Sequence, residues 1–313
     1  LRIKAQIKYH DDWFWNSNFF HHPYNLVLYF TTHLKMTTTK TAQKTAYSIL
    51  FTVAFAHCIN DLLQATIPAM YPVLKESYQL TFAQVGLITF AYQFTASLLQ
   101  PLVGIYTDKN PKPFSLAAAM GFTLVGILCL AFATSFYTIL GSVALVGIGS
   151  SIFHPEASRV AYLGSGGKRG LAQSIFQLGG NFGTALGPLL IALVVASKAQ
   201  TEILKFLILA LLGIAVLFFI GKWYNKQIIL GHVKPKSNTG ESRFSSKTIK
   251  ISLAILITLV FSKAFYLASM TNYYTFYLIN KFGVGVEKSQ ILLFIFLGSV
   301  ALGTFLGGPL GDK

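Results

Sequence analysis

Long apolar runs constrain this chain more than any other feature of its sequence. Eight stretches of roughly twenty residues or more, near 46–70, 82–105, 113–134, 136–157, 170–196, 202–223, 249–278 and 288–308, are nearly free of charge. A run of that length crosses a hydrocarbon core of about 30 Å as a helix, whereas a buried helix of a soluble domain needs about half of it. Only 11% of the residues are charged and the mean hydropathy is +0.57, against about a quarter charged in ordinary soluble domains. The expected fold class is therefore all-α, a polytopic membrane helical bundle. Gly and Pro within the runs, as at Gly179-Gly180 and Gly187-Pro188, are tolerated where neighbouring helices re-satisfy freed backbone groups.

The basic residues orient the bundle. If the first run starts on the cytoplasmic side, that side receives Lys40, Lys44, Lys109, Lys112, Arg159, Lys168, Arg169, Lys222, Lys226, Lys234, Lys236, Arg243, Lys247, Lys250 and Lys313. The other side receives only Lys75, Lys198, Lys205, Lys281 and Lys288. This asymmetry predicts a cytoplasmic N-terminus and accounts for most of the formal charge of +15. Anionic lipid headgroups, not nucleic acid, are the expected partners of these loops. Cys58 and Cys129 lie in apolar runs and read as unpaired small hydrophobes. The seven histidines show no zinc-ligand spacing, so neither a metal nor a cofactor is expected.

The organisation is a repeat. Gly104–Lys109 and Gly308–Lys313 both read G-x-x-x-D-K, each at the cytoplasmic end of a run and six runs apart. A parallel six-helix repeat is the pattern of transporters built from two related halves. The expected divisions are an upstream or disordered segment at 1–35, a six-helix half at 36–223 beginning at Met36, a polar basic linker at 224–248, and a second half at 249–313 holding two helices. The segment 1–35 reads either as upstream translated sequence or as an interfacial aromatic anchor.

Ionisable groups inside the runs mark candidate sites, because they are costly in hydrocarbon. Asp61 lies about 22 Å into the first run, with His57 at i−4, Gln64 at i+3 and Asn60 adjacent. This stripe could carry a proton and hydrogen-bond a polar substrate, or it could be a buried network that fixes packing. Glu156 follows His154-Pro155 near the cytoplasmic mouth, with Arg159 at i+3. The two either pair with each other or form a gate or proton relay. Lys263, at mid-run, requires a counter-charge such as Asp61 or an anionic substrate, unless the run is bounded differently. Gly179, Gly183 and Gly187 recur every four residues and line one helix face for close approach, and Pro188 follows.

These residues carry a family resemblance. "GIYTDKNPK" at 104–112 resembles the cytoplasmic loop signature of the major facilitator superfamily, and Gly183-x-x-x-Gly187-Pro188 resembles the fifth-helix signature of its drug–proton exchangers. The stretch beginning "AHCINDLLQATIPAMYPVLKESYQL" and the segment "GIGSSIFHPEASRVA" resemble the fosmidomycin resistance protein subfamily. The resemblance covers about 46–313. It implies the major facilitator fold with about eight of twelve helices present, and proton-coupled efflux of a small drug-like molecule across a bacterial inner membrane by a monomer. The alternatives are transport of another small metabolite, or a truncated fragment that transports nothing. It also implies that Gly104, Asp108, Lys109 and Arg159 belong to a cytoplasmic gate, with the partner of Asp108 supplied by the second half. Asp108 as a solvated loop charge is the alternative.

Overall fold

The computed structural model describes residues 45–194, 200–231 and 245–311, with side chains to residue 303. The segment 1–35 and the middle of the linker lie outside the described residues. Nine α-helices follow one another, with no strand among the described residues. They are α1 (Tyr47–Ala69), α2 (Tyr71–Ser77), α3 (Phe82–Lys109), α4 (Ser115–Ala131), α5 (Phe136–Gly164), α6 (Arg169–Val194), α7 (Leu207–Ile229), α8 (Ser246–Phe282) and α9 (Val286–Gly311). A 3-10 turn, Gln200–Phe206, leads into α7. Seven of the predicted spans are long and apolar enough to cross a membrane, with α1 and α2 forming one of them.

The eighth predicted span is α4, which at 17 residues is shorter than expected. Its missing residues are used in the turn that caps α5. The backbone N–H groups of Thr134 and Ser135 donate to Thr138 Oγ1, and the Thr138 N–H donates back to Ser135 Oγ. Such a reciprocal cap satisfies orphan N–H groups where a helix leaves the apolar layer. Thr81 and Gln84 do the same at the start of α3. At the far end of α8, Gly283 takes the left-handed conformation, φ 63°, that closes a helix. Both α7 and α8 reach into the predicted linker, ending at Ile229 and starting at Ser246.

The core is built around α1, which packs on α6, α5 and α7, while α4 and α3 pack on α5. A Cβ added at Gly179 would collide with the carbonyl of Ala54, and one at Gly183 with the carbonyl of Cys58. One at Gly187 would lie 2.6 Å from Ala65 Cβ. The four-residue glycine spacing thus lets two backbones touch. Gly183→Val must force α1 from α6, and overpacking of this kind costs about 1–3 kcal/mol. Thermal unfolding in detergent should show a clear fall in Tm for Gly183→Val. Gly141→Ala, an exposed position with open space around it, should not lower it.

Exposed apolar side chains such as Phe90, Leu98 and Leu102 on α3, and Ile255, Leu259 and Phe265 on α8, cover the outside. This is the surface a bilayer requires. The helices that follow the linker pack on those before it, α9 on α6 through Leu293 and Leu297 against Ala185. Thr89 donates to Asn272 Oδ1 at 3.1 Å, Phe82 meets Phe276 edge-on, and Gln290 donates to the Ala69 carbonyl at 2.9 Å. One end carries the basic loops, joined by Ala46 N–H to Gly164 O at 2.9 Å and by Lys168 lying over Tyr47. Cys58 and Cys129 are free thiols, Cys58 half-buried and Cys129 exposed among the outer residues.

Candidate functional site

Asp61 projects from the middle of α1 beside a cavity of about 280 Å³. The cavity lies between α1, α3, α6 and α8, and its polar lining comes from Asp61, Gln64, Thr89, Tyr92, Gln93 and Asn272, among others. One helical turn before Asp61, the buried His57 places Nε2 at 3.1 Å from Asp61 Oδ2. This is a charge-distance contact, because Nε2 has no aligned hydrogen-bond partner. From α5, His154 places its own Nε2 at 3.4 Å from Asp61 Oδ1. Asn60, fully buried, donates to that same oxygen at 3.0 Å.

The rings are held from behind. His57 Nδ1 lies 2.8 Å from the Phe176 carbonyl of α6, and its ring stacks on Phe176 with centroids 3.9 Å apart. His154 Nδ1 lies 3.0 Å from the Ser150 carbonyl. Space for the pair comes from Gly180, where a Cβ would sit 2.6 Å from His57 Nε2 and 2.8 Å from Asp61 Oδ2. A polar chain continues into the cavity. Ser150 Oγ donates to Gln64 Oε1 at 3.2 Å, and Tyr92 OH donates to the same oxygen at 2.5 Å. Among the described residues, His57, Asp61 and His154 also place ligand atoms within 4.8 Å of one another, so by spacing alone they could hold a metal ion. Separations of 3.1 and 3.4 Å are equally those of heteroatoms sharing hydrogens.

The second cluster lies toward the basic end. Arg159 Nη1 donates to Glu156 Oε1 at 2.5 Å and to the Thr107 carbonyl at 3.1 Å. Its Nη2 donates to Thr107 Oγ1 at 3.2 Å and forms an ion pair with Asp108. Ser115 donates to Glu156 Oε2 at 3.0 Å, and Tyr224 OH stands 3.5 Å from Nη1. Helices α3, α5 and α7 thereby meet at one guanidinium, and α4 joins them through Ser115 on Glu156. Glu156 is fully buried while Asp108 is 66% exposed.

The predicted site residues separate accordingly. Asp61, His57, Asn60 and Gln64 come together on one side of the cavity, and Gln64 lines it. Glu156, Arg159 and Asp108 come together at the basic end. There the i, i+3 pairing of Glu156 and Arg159 is observed, and the guanidinium also serves Asp108. Asp108 pairs with Arg159 of the same half, a nearby arginine. Lys109 is exposed in the last turn of α3, and a Cβ at Gly104 would meet nothing within 4 Å. Gly183 and Gly187 seat α6 on α1, and Pro188 is buried in α6.

Lys263 is not brought to Asp61. It sits on an exposed stretch of α8 and, among the described residues, has no carboxylate at ion-pair distance. Sequence adjacency groups His154 with Glu156 at the cytoplasmic mouth. Two residues on a helix differ by about 200° in direction, which sends His154 to Asp61 and Glu156 to Arg159. The available signal was Ser150 at i−4, a second polar residue on the face of His154.

Residues 53–313 match the family described as Major Facilitator Superfamily. The chain is 49% identical over 273 residues to the Fosmidomycin resistance protein of Escherichia coli (strain K12), covering 87% of this chain and 67% of that protein. It is 44% identical over 281 residues to the Uncharacterized MFS-type transporter YfnC of Bacillus subtilis (strain 168), covering 88% and 68%. Among solved structures it resembles a bacterial homolog of the human lysosomal transporter Spinster. The TM-score is 0.66 at 19% identity for the inward-facing and occupied form, and 0.61 at 17% for the inward-facing and unoccupied form. Each alignment covers 87% of this chain, and the chain spans 62% and 63% of the two Spinster-homolog chains, less than two thirds of their length.

Proposed function

This chain belongs to the Major Facilitator Superfamily, and from that premise we propose that it forms part of a proton-coupled exporter of a small drug-like molecule of the fosmidomycin type. The reading places it in a bacterial inner membrane with its N-terminus in the cytoplasm. The single observation that carries it is a carboxylate, Asp61, held between two imidazoles at the wall of the cavity. Ionisable groups placed so deep in a membrane bundle are costly and mark ion or substrate pathways. Asp61 and His57 are the proton-binding groups in this reading, and Gln64 the nearest substrate contact. A cavity of about 280 Å³ lies just below the usual range of ligand sites, about 300–1,000 Å³, which suits a compact molecule.

Orientation rests on the basic loops. Lys168 and Arg169 cluster with the start of α1 at one end, and the exposed Lys109 closes α3 at that same end. The Arg159–Glu156–Asp108 network then becomes a cytoplasmic latch between α3 and α5. The drug is carried over from the Escherichia coli relative, 49% identical, and outward is the direction in which a transporter would confer resistance.

The test is drug susceptibility. A sensitised bacterium expressing the full-length gene product should show a raised inhibitory concentration of fosmidomycin. If the membrane-inserted protein protects against neither fosmidomycin nor a drug panel, the drug assignment fails and transport of another metabolite replaces it.

A further inference from the structure

Each histidine of the cluster has one ring nitrogen already committed. A carbonyl oxygen only accepts, so Nδ1 of His57, against Phe176 O, and Nδ1 of His154, against Ser150 O, both carry hydrogens. The Ser150 hydroxyl, also 3.3 Å from His154 Nδ1, donates its own hydrogen to Gln64 Oε1. A neutral imidazole has one hydrogen. In neutral rings, therefore, both Nε2 atoms present lone pairs, and both face oxygens of Asp61 at 3.1 and 3.4 Å. Lone pairs against a carboxylate repel, and the low dielectric of the bundle strengthens that repulsion. Each contact turns attractive only when a hydrogen lies in it. There are two such contacts, and a single proton on Asp61 fills only one.

We propose that His154 is a second proton-binding member of the coupling site, and that the His57–Asp61–His154 cluster takes up two protons, one in each Nε2–carboxylate contact. The proposal rests on the reading of Asp61 as the coupling group. His154 is also the port. The side chains of His154, Asp61 and His57 are 29%, 17% and 2% exposed, so protons enter at His154 and pass inward.

No neighbouring ion pair among the described residues neutralises the trio, which passes from −1 with neither contact filled to +1 with both. From α1 the neighbouring titratable group is Cys58, from α3 it is Tyr92, and Tyr71, with Tyr273 near it, lies farther along the cavity. On α5, Glu156 and Arg159 engage each other and Asp108. The facing part of α6 offers Phe176 and Gly180, and α8 offers Thr271 and Asn272. Among the described residues, no lysine, arginine or second carboxylate forms an ion pair with the trio.

Two measurements on the full-length protein test this. The first needs no substrate: nitrogen NMR of histidine-labelled protein in detergent between pH 5 and pH 9, with His57→Gln and His154→Gln as assignments. The expected result is that His154 keeps its Nδ1 hydrogen throughout and gains one at Nε2 as pH falls. A His154 ring with a bare Nδ1, or one that never titrates, overturns the proposal.

The second measures fosmidomycin uptake into everted vesicles, driven by a pH gradient, beside counterflow exchange without one. His154→Gln should lower gradient-driven uptake on the order of tenfold or more, within the usual range of site–site coupling, and lower counterflow far less. Equal loss in both, or in neither, overturns the role of His154 while the reading of Asp61 stands. Absence of fosmidomycin uptake by the unmodified protein defeats the drug assignment instead, and the NMR result still decides the protonation of His154.

Discussion

Asp61→Asn in the full-length protein should abolish fosmidomycin uptake driven by a pH gradient and return a resistant cell to the sensitivity of one lacking the gene. The substitution is nearly isosteric, so the fold is expected to survive it. Asn has the size and shape of Asp, so it fits the space that Gly180 leaves, and it can still accept from Asn60. What it removes is the charge that both Nε2 atoms face. Without that charge neither imidazolium is stabilised, and proton binding no longer differs between the cavity states that a transporter must link. The expected loss in coupled uptake is at least tenfold, up to about a hundredfold, the upper range of ordinary coupling energies. Size-exclusion profiles of the variant should match the unmodified protein. Gradient-driven uptake that persists unchanged in Asp61→Asn would move the coupling group elsewhere.

How much of this site the sequence reveals depends on the distance each contact spans. The His57–Asp61 contact is local, i to i+4 on one helix, and helical spacing announces it. The glycine stripe of α6 is equally readable, since intervals of four put small residues on one face whatever the partner. The spans follow from apolar length alone. Their ends shift by a few residues, because caps such as Ser135–Thr138 borrow from the preceding run.

Contacts between helices are another matter. Asp108 and Arg159 are 51 residues apart, and no periodicity joins them. Their meeting depends on α3 and α5 crossing closely, which Gly147 permits by standing against the Tyr92 carbonyl, where an added Cβ would lie at 2.7 Å. His154 reaches Asp61 only because α1 and α5 share a core. Lys263 shows the converse. Depth in a span can be counted from sequence, but the face of α8 that turns to the cavity is set by packing. Ala264, Leu267, Ala268, Thr271 and Asn272 line it, and Lys263 does not.

Arg159→Ala should be the most destabilising single polar substitution at the basic end. Glu156 is fully buried, and besides the guanidinium its side chain has the Ser115 hydroxyl. Removing Arg159 strands a buried carboxylate, a change that costs about 3–5 kcal/mol in comparable sites. Arg159→Lys should recover little. An ammonium lacks the planar fork that serves Glu156, Thr107 and Asp108 together. The double variant Glu156→Gln/Arg159→Ala should recover most of the lost stability, because no charge is then left buried without a partner. Asp108→Asn sets the scale from the other side. Its carboxylate is 66% exposed, and exposed ion pairs contribute about 0–1 kcal/mol. Thermal unfolding of the four variants in the same lipid nanodisc separates the contributions. The expected order of Tm places Arg159→Ala lowest, with Arg159→Lys next, the double variant well above both, and Asp108→Asn nearest the unmodified protein. If Asp108→Asn instead falls as far as Arg159→Ala, the exposed ion pair, not the buried carboxylate, holds α3 against α5, and the latch at this end works through its solvent-facing half.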